Sequence, residues 1–264
     1  MTQDAFIMRS RLEPFNELEQ HWMDVLRNQI VEVIQHNIPF TRIVFISLYG
    51  SQNYHLAGSF SDIDSECFIF PSIHDFCFLD KPTSFKLHTE HGDIYVKDIR
   101  LMFDELRKSS PNILELLASN YMWINKDYQY YFLPILKNVD NFAQLSTYKL
   151  LKGLEGLFKR YSNPLDLSSK YLVNAMRIQQ MISRIIAGED FSSTLIPYNA
   201  TELFNIKYCE LEDNANLMLE HIALVTYDIL NEYFNSHEFV FQSNTKAMID
   251  EYQQDLMLKY IHSI

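Results

Sequence analysis

Leu48-Tyr49-Gly50-Ser51-Gln52-Asn53-Tyr54-His55-Leu56-Ala57-Gly58-Ser59-Phe60-Ser61-Asp62-Ile63-Asp64 is the stretch that decides how this chain reads. An apolar run from Ile43 to Tyr49 enters a Gly-Ser turn, and two carboxylates follow at i and i+2. Side chains alternate between the faces of a strand, so Asp62 and Asp64 project the same way and suit hard cations through oxygen ligands. Gly50 lets the backbone turn closely, and Ser51 offers an N–H and a hydroxyl to phosphate oxygens. The combination points to metal-dependent chemistry on a nucleotide.

Working outward, Leu18, Trp22, Val25, Leu26, Ile30, Val33 and Ile34 recur at helical spacing, which predicts an amphipathic helix over 14–37 beside a sheet. Strands are expected at Ile43–Tyr49, Ile63–Phe70 and Ile94–Val96, a helix from about Asp98 through Arg107, and another over Asn112–Ala118. Beyond residue 140 the apolar spacing turns helical, with helices expected over Phe142–Tyr161, Leu167–Ile186 and Cys209–Phe234. The fold class is α+β: a mixed-sheet domain over 1–138 followed by a helical domain over 139–264.

Composition narrows the function classes. The chain has 264 residues, 47% of them hydrophobic, enough for one large core or two moderate ones. Cys67, Cys77 and Cys209 stand at no metal-ligand spacing, and no apolar run reaches membrane-spanning length, so a cytoplasmic protein without a membrane partner is expected. A net charge of −12 opposes an extended grip on nucleic acid, whose non-specific affinity comes from phosphate neutralisation. One basic group stands out: Lys149, Lys152, Lys159, Arg160, Lys170, Arg177 and Arg184, which gather on one surface or lie along a solvated helical face. Walker-type, dinucleotide and nucleophile-elbow motifs do not occur in the sequence. His88 and His91 lack a third zinc ligand at a recognised interval, His55 reads as a loop residue, and Tyr128, Tyr130 and Tyr131 read as an exposed aromatic patch or as packing.

Gly50-Ser51 followed by Asp62-x-Asp64 resembles the signature of the DNA polymerase β superfamily of nucleotidyltransferases. Tyr54 after the Gly-Ser pair and Ser61 before Asp62 look like its predicted bacterial and phage branch, which includes the RNA-ligase-associated group. That branch often carries Gly where this chain has His55, and again near Cys67. Lys97-Asp98-Ile99-Arg100-Leu101-Met102-Phe103, Ser110-Pro111-Asn112-Ile113-Leu114-Glu115-Leu116-Leu117, and more weakly Lys170 and Arg177, extend the similarity over about 40–190.

The resemblance implies an active site in a cleft between a sheet domain and a helical domain. There Gly50 and Ser51, with Tyr54 and Ser61, hold the triphosphate of an NTP such as ATP, and Lys170 or Arg177 neutralises the leaving group. Asp62, Asp64 and a third carboxylate bind two magnesium ions, and that third carboxylate accepts the acceptor's proton. Asp93 opens a short strand and is the first choice for the third ligand; Asp98 is the alternative, unless it caps a helix. Glu66 shares a face with the pair but reads as a solvent-facing strand end. The acceptor is left open among RNA ends, small molecules and proteins, as is the alternative of an inactive nucleotide-binding module of the same fold.

Overall fold

A computed structural model describes residues 16–78, 81–163, 165, 168–209, 214–238 and 240–263. Helix α1 (Glu17–Gln35) starts at Asn16, whose side chain accepts from the Glu19 amide while the Glu19 carboxylate accepts from the Asn16 amide, a reciprocal cap. The start expected near residue 14 lies outside the described residues.

Five strands follow: β1 (Ile43–Leu48), β2 (Ser65–Ile69), β3 (Ser84–His88), β4 (Asp93–Asp98) and β5 (Met122–Ile124). They form one mixed sheet in the order β3-β4-β2-β1-β5, with β2 and β4 parallel and every other pair antiparallel. The fold is thus α+β. The expected strand over 63–70 begins two residues later, so Asp62 and Asp64 belong to the segment leading into β2.

Alternation sorts the sheet into two faces. Ile46, Leu48, Cys67, Ile69, Ile94 and Val96 pack against Trp22, Leu26, Ile30 and Val33 of α1. Phe45, Phe68 and Phe70 face the other way and join a core shared with the later helices. On that second side Asp98 caps α3 (Ile99–Leu106), and Ser110 and Pro111 open α4 (Pro111–Ala118).

The helical half is more broken than its apolar spacing suggests. After α5 (Gln129–Lys137), the expected Phe142–Tyr161 helix divides into α6 (Val139–Ala143), a short 3₁₀ turn and α7 (Thr147–Tyr161). The cause is Ser146, whose side chain accepts from the Lys149 amide and starts a new helix. Helix α8 (Ser169–Ile186) starts in the same way at Ser168. After α9 (Phe191–Thr194) and α10 (Ala200–Tyr208), α11 (Ala215–Ser236) begins later than the expected Cys209; residues 210–213 lie outside the described set. Helix α12 (Ser243–His262) returns to the sheet half: the Tyr260 ring stacks on Phe70 with centroids 4.1 Å apart, and Arg107 pairs with Asp250 at 2.8 Å. Among the described residues no helix is long and apolar enough to cross a membrane.

Candidate functional site

A cleft of about 570 Å³ opens at the end of β1, between the sheet and the later helices. Gly50, Ser51, Tyr54, Ser61, Asp62 and Asp64 line it from the turn and the β2 lead-in, Glu66 from β2, and Tyr95 and Lys97 from β4. The rest of the lining comes from the helices: Glu115 of α4, Arg160 of α7, Lys170 and Arg177 of α8, and Lys207 and Tyr208 of α10. Lys170, Asn174 and Arg177 follow the i, i+4, i+7 spacing of one helix face, which is why a single helix brings all three to the cavity.

The acid pair is fixed through its backbone. The Gln52 amide side chain donates to the Asp62 carbonyl at 2.7 Å and Gln29 donates to the Ile63 carbonyl at 2.9 Å. The Ile63 amide donates to the His91 carbonyl at 2.8 Å, and the Tyr49 amide to the Asp64 carbonyl at 3.2 Å. Ile63 is buried between Asp62 and Asp64, so the two carboxylates still point to the cleft although they precede the regular strand. Gly92 fits against this segment: a Cβ there would lie 2.5 Å from the Ile63 carbonyl oxygen.

Burial pushes the Asp64 carboxyl above its usual range, with the like charges of Asp93 and Asp62 adding to it; the Asp93 amide, donating at 2.9 Å, and Lys170 oppose. Burial likewise raises Glu66, against the opposing effect of Lys97, whose ammonium sits 2.8 Å away. Glu66 is 9% exposed, so the solvent-facing strand end expected for it is replaced by an ion pair in the cleft wall.

Asp93 and Asp98 do not line the cavity. The Asp93 carboxylate bonds Lys86 at 2.6 Å and His88 at 2.8 Å, and these, Lys86 first, hold it below the ordinary carboxylate range. Asp98 is 1% exposed, accepts from the Arg100 amide at 2.9 Å and pairs with the Arg100 guanidinium at 2.7 Å. It is the helix cap that the alternative reading described, and its carboxylate is spent on Arg100. Asp62 and Asp64 carry oxygens of the kind a hard cation takes, and a cation between them would offset their like charge. Among the described residues no group of three or more His, Cys, Asp or Glu side chains is drawn together as a metal site.

The Gly-Ser turn is held by a residue that local reading did not single out. Gly50 sits at φ +91°, and its amide donates to Glu115 Oε1 at 2.8 Å. The Tyr54 hydroxyl donates to Glu115 Oε2. Ser51 contributes its carbonyl to the turn, accepting from the Leu56 amide at 2.9 Å. His55 lies at φ +59°, in the left-handed region that glycine enters most readily, and is exposed as a loop residue.

On the Tyr54 ring lies Arg177, its guanidinium carbon 3.5 Å from the ring centroid. Arg177 is 6% exposed, and its buried Nε has no hydrogen-bond partner among the described residues. A second clamp joins the halves at the other rim. The Tyr208 hydroxyl accepts from the Gly58 amide and shares a bond with Ser61 Oγ, both at 2.8 Å, while Lys207 donates to the Leu56 carbonyl at 2.7 Å.

The seven basic residues do not form one surface. Only Arg160, Lys170 and Arg177 line the cleft; Lys152 pairs with Glu155 and lies over the Phe234 ring, and Arg184 is held by Glu189 and the Ser193 and Ile196 carbonyls. The tyrosine patch also divides: Tyr128 is buried with its hydroxyl on the Thr41 carbonyl, whereas Tyr130 is exposed. Neither protein-family models nor curated protein sequences match the chain.

Proposed function

We propose that the chain is a nucleotidyltransferase that moves a nucleoside monophosphate from an NTP to an acceptor hydroxyl, with pyrophosphate as the leaving group. The acceptor class is an RNA end, a small molecule or a protein. One observation carries the reading: a cleft lined by an acid pair and by a nine-tenths-buried arginine whose Nε lacks a partner among the described residues. Burying a cation without a matching anion is unfavourable, and a triphosphate supplies that anion. The Gly50 turn and the resemblance of the surrounding residues support the same assignment.

In this reading Lys170 and Arg177 bind the phosphates and stabilise the charge that builds on the departing pyrophosphate. The Gly50–Ser51 turn shapes the wall beside them. Asp62 and Asp64 would hold magnesium, with Asp93, whose amide donates to Asp64, as the third carboxylate of this reading; when bound, the metal polarises the acceptor hydroxyl and neutralises phosphate charge. A carboxylate of this row accepts the hydroxyl proton as the acceptor oxygen bonds the α-phosphorus. The helical half, 139–264, closes the cleft through Lys207 and Tyr208 and excludes water from the transfer.

The test is incubation of the full chain with magnesium, each NTP labelled at the α-phosphate, and fractions of a crude bacterial cell extract. Pyrophosphate release together with label on one acceptor class is expected. Label that stays on the NTP in every fraction would refute transfer. A second reading, a nucleotide-binding module without turnover, draws on the engagement of Asp93 with Lys86 and His88; it predicts magnesium-dependent NTP binding with no pyrophosphate released.

A further inference from the structure

The carboxylate on the Gly50 amide raises a question of sign. Gly50 carries the amide expected to meet a phosphate, yet Glu115 Oε1 accepts that N–H at 2.8 Å. The other oxygen of Glu115 takes the Tyr54 hydroxyl. Both oxygens are therefore committed to the two ends of one turn. Glu115 comes from the middle of α4, between buried Leu114 and Leu116, so its backbone is fixed independently of the turn it grips.

Tyr54 is buried, and burial pushes its phenol well above the usual range, with Arg177 opposing and Glu115 adding to the rise. The phenol is thus neutral and acts as donor to Glu115. Its ring supports the Arg177 guanidinium, whose carbon lies 3.5 Å from the centroid, in a cation–π contact. Among the described residues the Arg177 Nε has no hydrogen-bond partner.

We propose that Glu115 is the positioning residue on the phosphate side of the cleft: it ties the Gly50 amide to the Tyr54 hydroxyl and so fixes the ring that presents Arg177 to an anion. The inference rests on reading the cleft as a triphosphate site, and it moves the principal anion receptor from the Gly50 amide to Arg177. The alternative has the opposite sign. Were Glu115 merely occupying a phosphate seat, removing it would free a donor, remove a like charge and tighten anion binding.

The test uses the full chain and inorganic tripolyphosphate, titrated calorimetrically, with an NTP plus magnesium titrated in parallel. Glu115→Ala should weaken tripolyphosphate binding about tenfold. Glu115→Gln, which keeps an oxygen for the Gly50 amide, should stay within about threefold of the parent. Arg177→Ala should weaken binding as well, and adding Glu115→Ala to it should change little further, because the two act through one contact. Tyr54→Phe removes only the hydroxyl and serves as the second variant where Glu115→Ala fails to fold; it should weaken binding in the same non-additive way.

Binding that is unchanged or tighter in the folded Glu115→Ala or Tyr54→Phe variant, or effects that add in full to Arg177→Ala, would overturn the proposal. So would a parent chain that binds no tripolyphosphate. A parent that binds tripolyphosphate with this mutational pattern but binds no NTP would leave the positioning role standing and refute the nucleotidyltransferase reading instead.

Discussion

The amide of Asp93 donates to the carboxylate of Asp64 at 2.9 Å, while the carboxylate of Asp93 turns to Lys86 and His88. One residue therefore serves the acid pair through its backbone and the β3–β4 edge through its side chain. Substitution at Asp93 separates these roles because Asn retains the amide. Under the proposed mechanism Asp93→Asn loses turnover with little change in melting temperature, since an exposed ion pair contributes about 1 kcal/mol or less. If Asp93→Asn turns over like the parent, β4 supplies no metal ligand and Glu66 is the next carboxylate along the cleft wall.

Asp98 responds in the opposite way. Its carboxylate is buried, caps α3 and pairs with Arg100, so Asp98→Ala removes a cap and one side of a buried ion pair. Breaking a buried pair costs about 3–5 kcal/mol. Chemical denaturation should show that loss, and the folded fraction should keep its turnover per molecule. A catalytic defect with unchanged stability would return Asp98 to the active site.

Asp62→Asn and Asp64→Asn should each reduce magnesium-dependent turnover on the order of 100-fold or more, the scale of losing one preorganised electrostatic group. Burial and like-charge repulsion raise Asp64, so replacing it relieves the fold and does not weaken it. The checks are initial rates with magnesium and a thermal melt; rates within twofold of the parent would remove the pair from the site.

How far these residues could be read in advance depended on distance along the chain. Apolar runs revealed β1, β2 and β4, but β3 buries only Leu87 along its length and β5 spans three residues, so neither has enough periodic signal to stand out. Asp62 and Asp64 stand in a local motif, Lys170 and Arg177 in the weaker stretch of the resemblance, and all four line the cleft. Glu115 and Tyr208 were not singled out, because their roles arise from contacts 65 and 150 residues away that no local pattern encodes. Asp98 was legible both as a cap and as a ligand, and only the buried Arg100 pair distinguishes the two.

The Arg107–Asp250 pair, which docks α12 onto the sheet half, gives a pH-dependent signature. Arg107 foremost, with Lys246, holds the Asp250 carboxyl below its ordinary range. A carboxyl depressed in the folded state stabilises above its unfolded pKa, about 3.9, and that contribution disappears as pH falls through the lower folded value. Asp250→Asn should therefore melt below the parent at pH 7, by an amount equivalent to about 0.2–1 kcal/mol for a pair this exposed. The two melting curves should converge as the pH is lowered below about 4. A difference that persists unchanged at pH 2 would assign the effect to packing of α12 and not to charge.

Gly92 provides the sharpest coupling between fold and site. Its φ of +154° disfavours any side chain, and a Cβ would fall 2.5 Å from the Ile63 carbonyl oxygen and 2.9 Å from the Ile63 nitrogen. Both contacts are with backbone, which no side-chain rotation can relieve. Ile63 separates Asp62 from Asp64, and its amide is bonded to the carbonyl of His91, so any shift that accommodates the new methyl moves the acid pair. Gly92→Ala should then cost about 3 kcal/mol or more, at the upper end for single substitutions. In whatever fraction remains folded, magnesium-dependent turnover should fall with it. Gly156→Ala is the matched control, because a Cβ there meets nothing within 4 Å. Helix α7 should gain up to about 1 kcal/mol from that change. Denaturation of both variants alongside initial rates checks the contrast, and a Gly92→Ala protein with parental stability would show that the segment carrying Asp62 and Asp64 is not held by this packing.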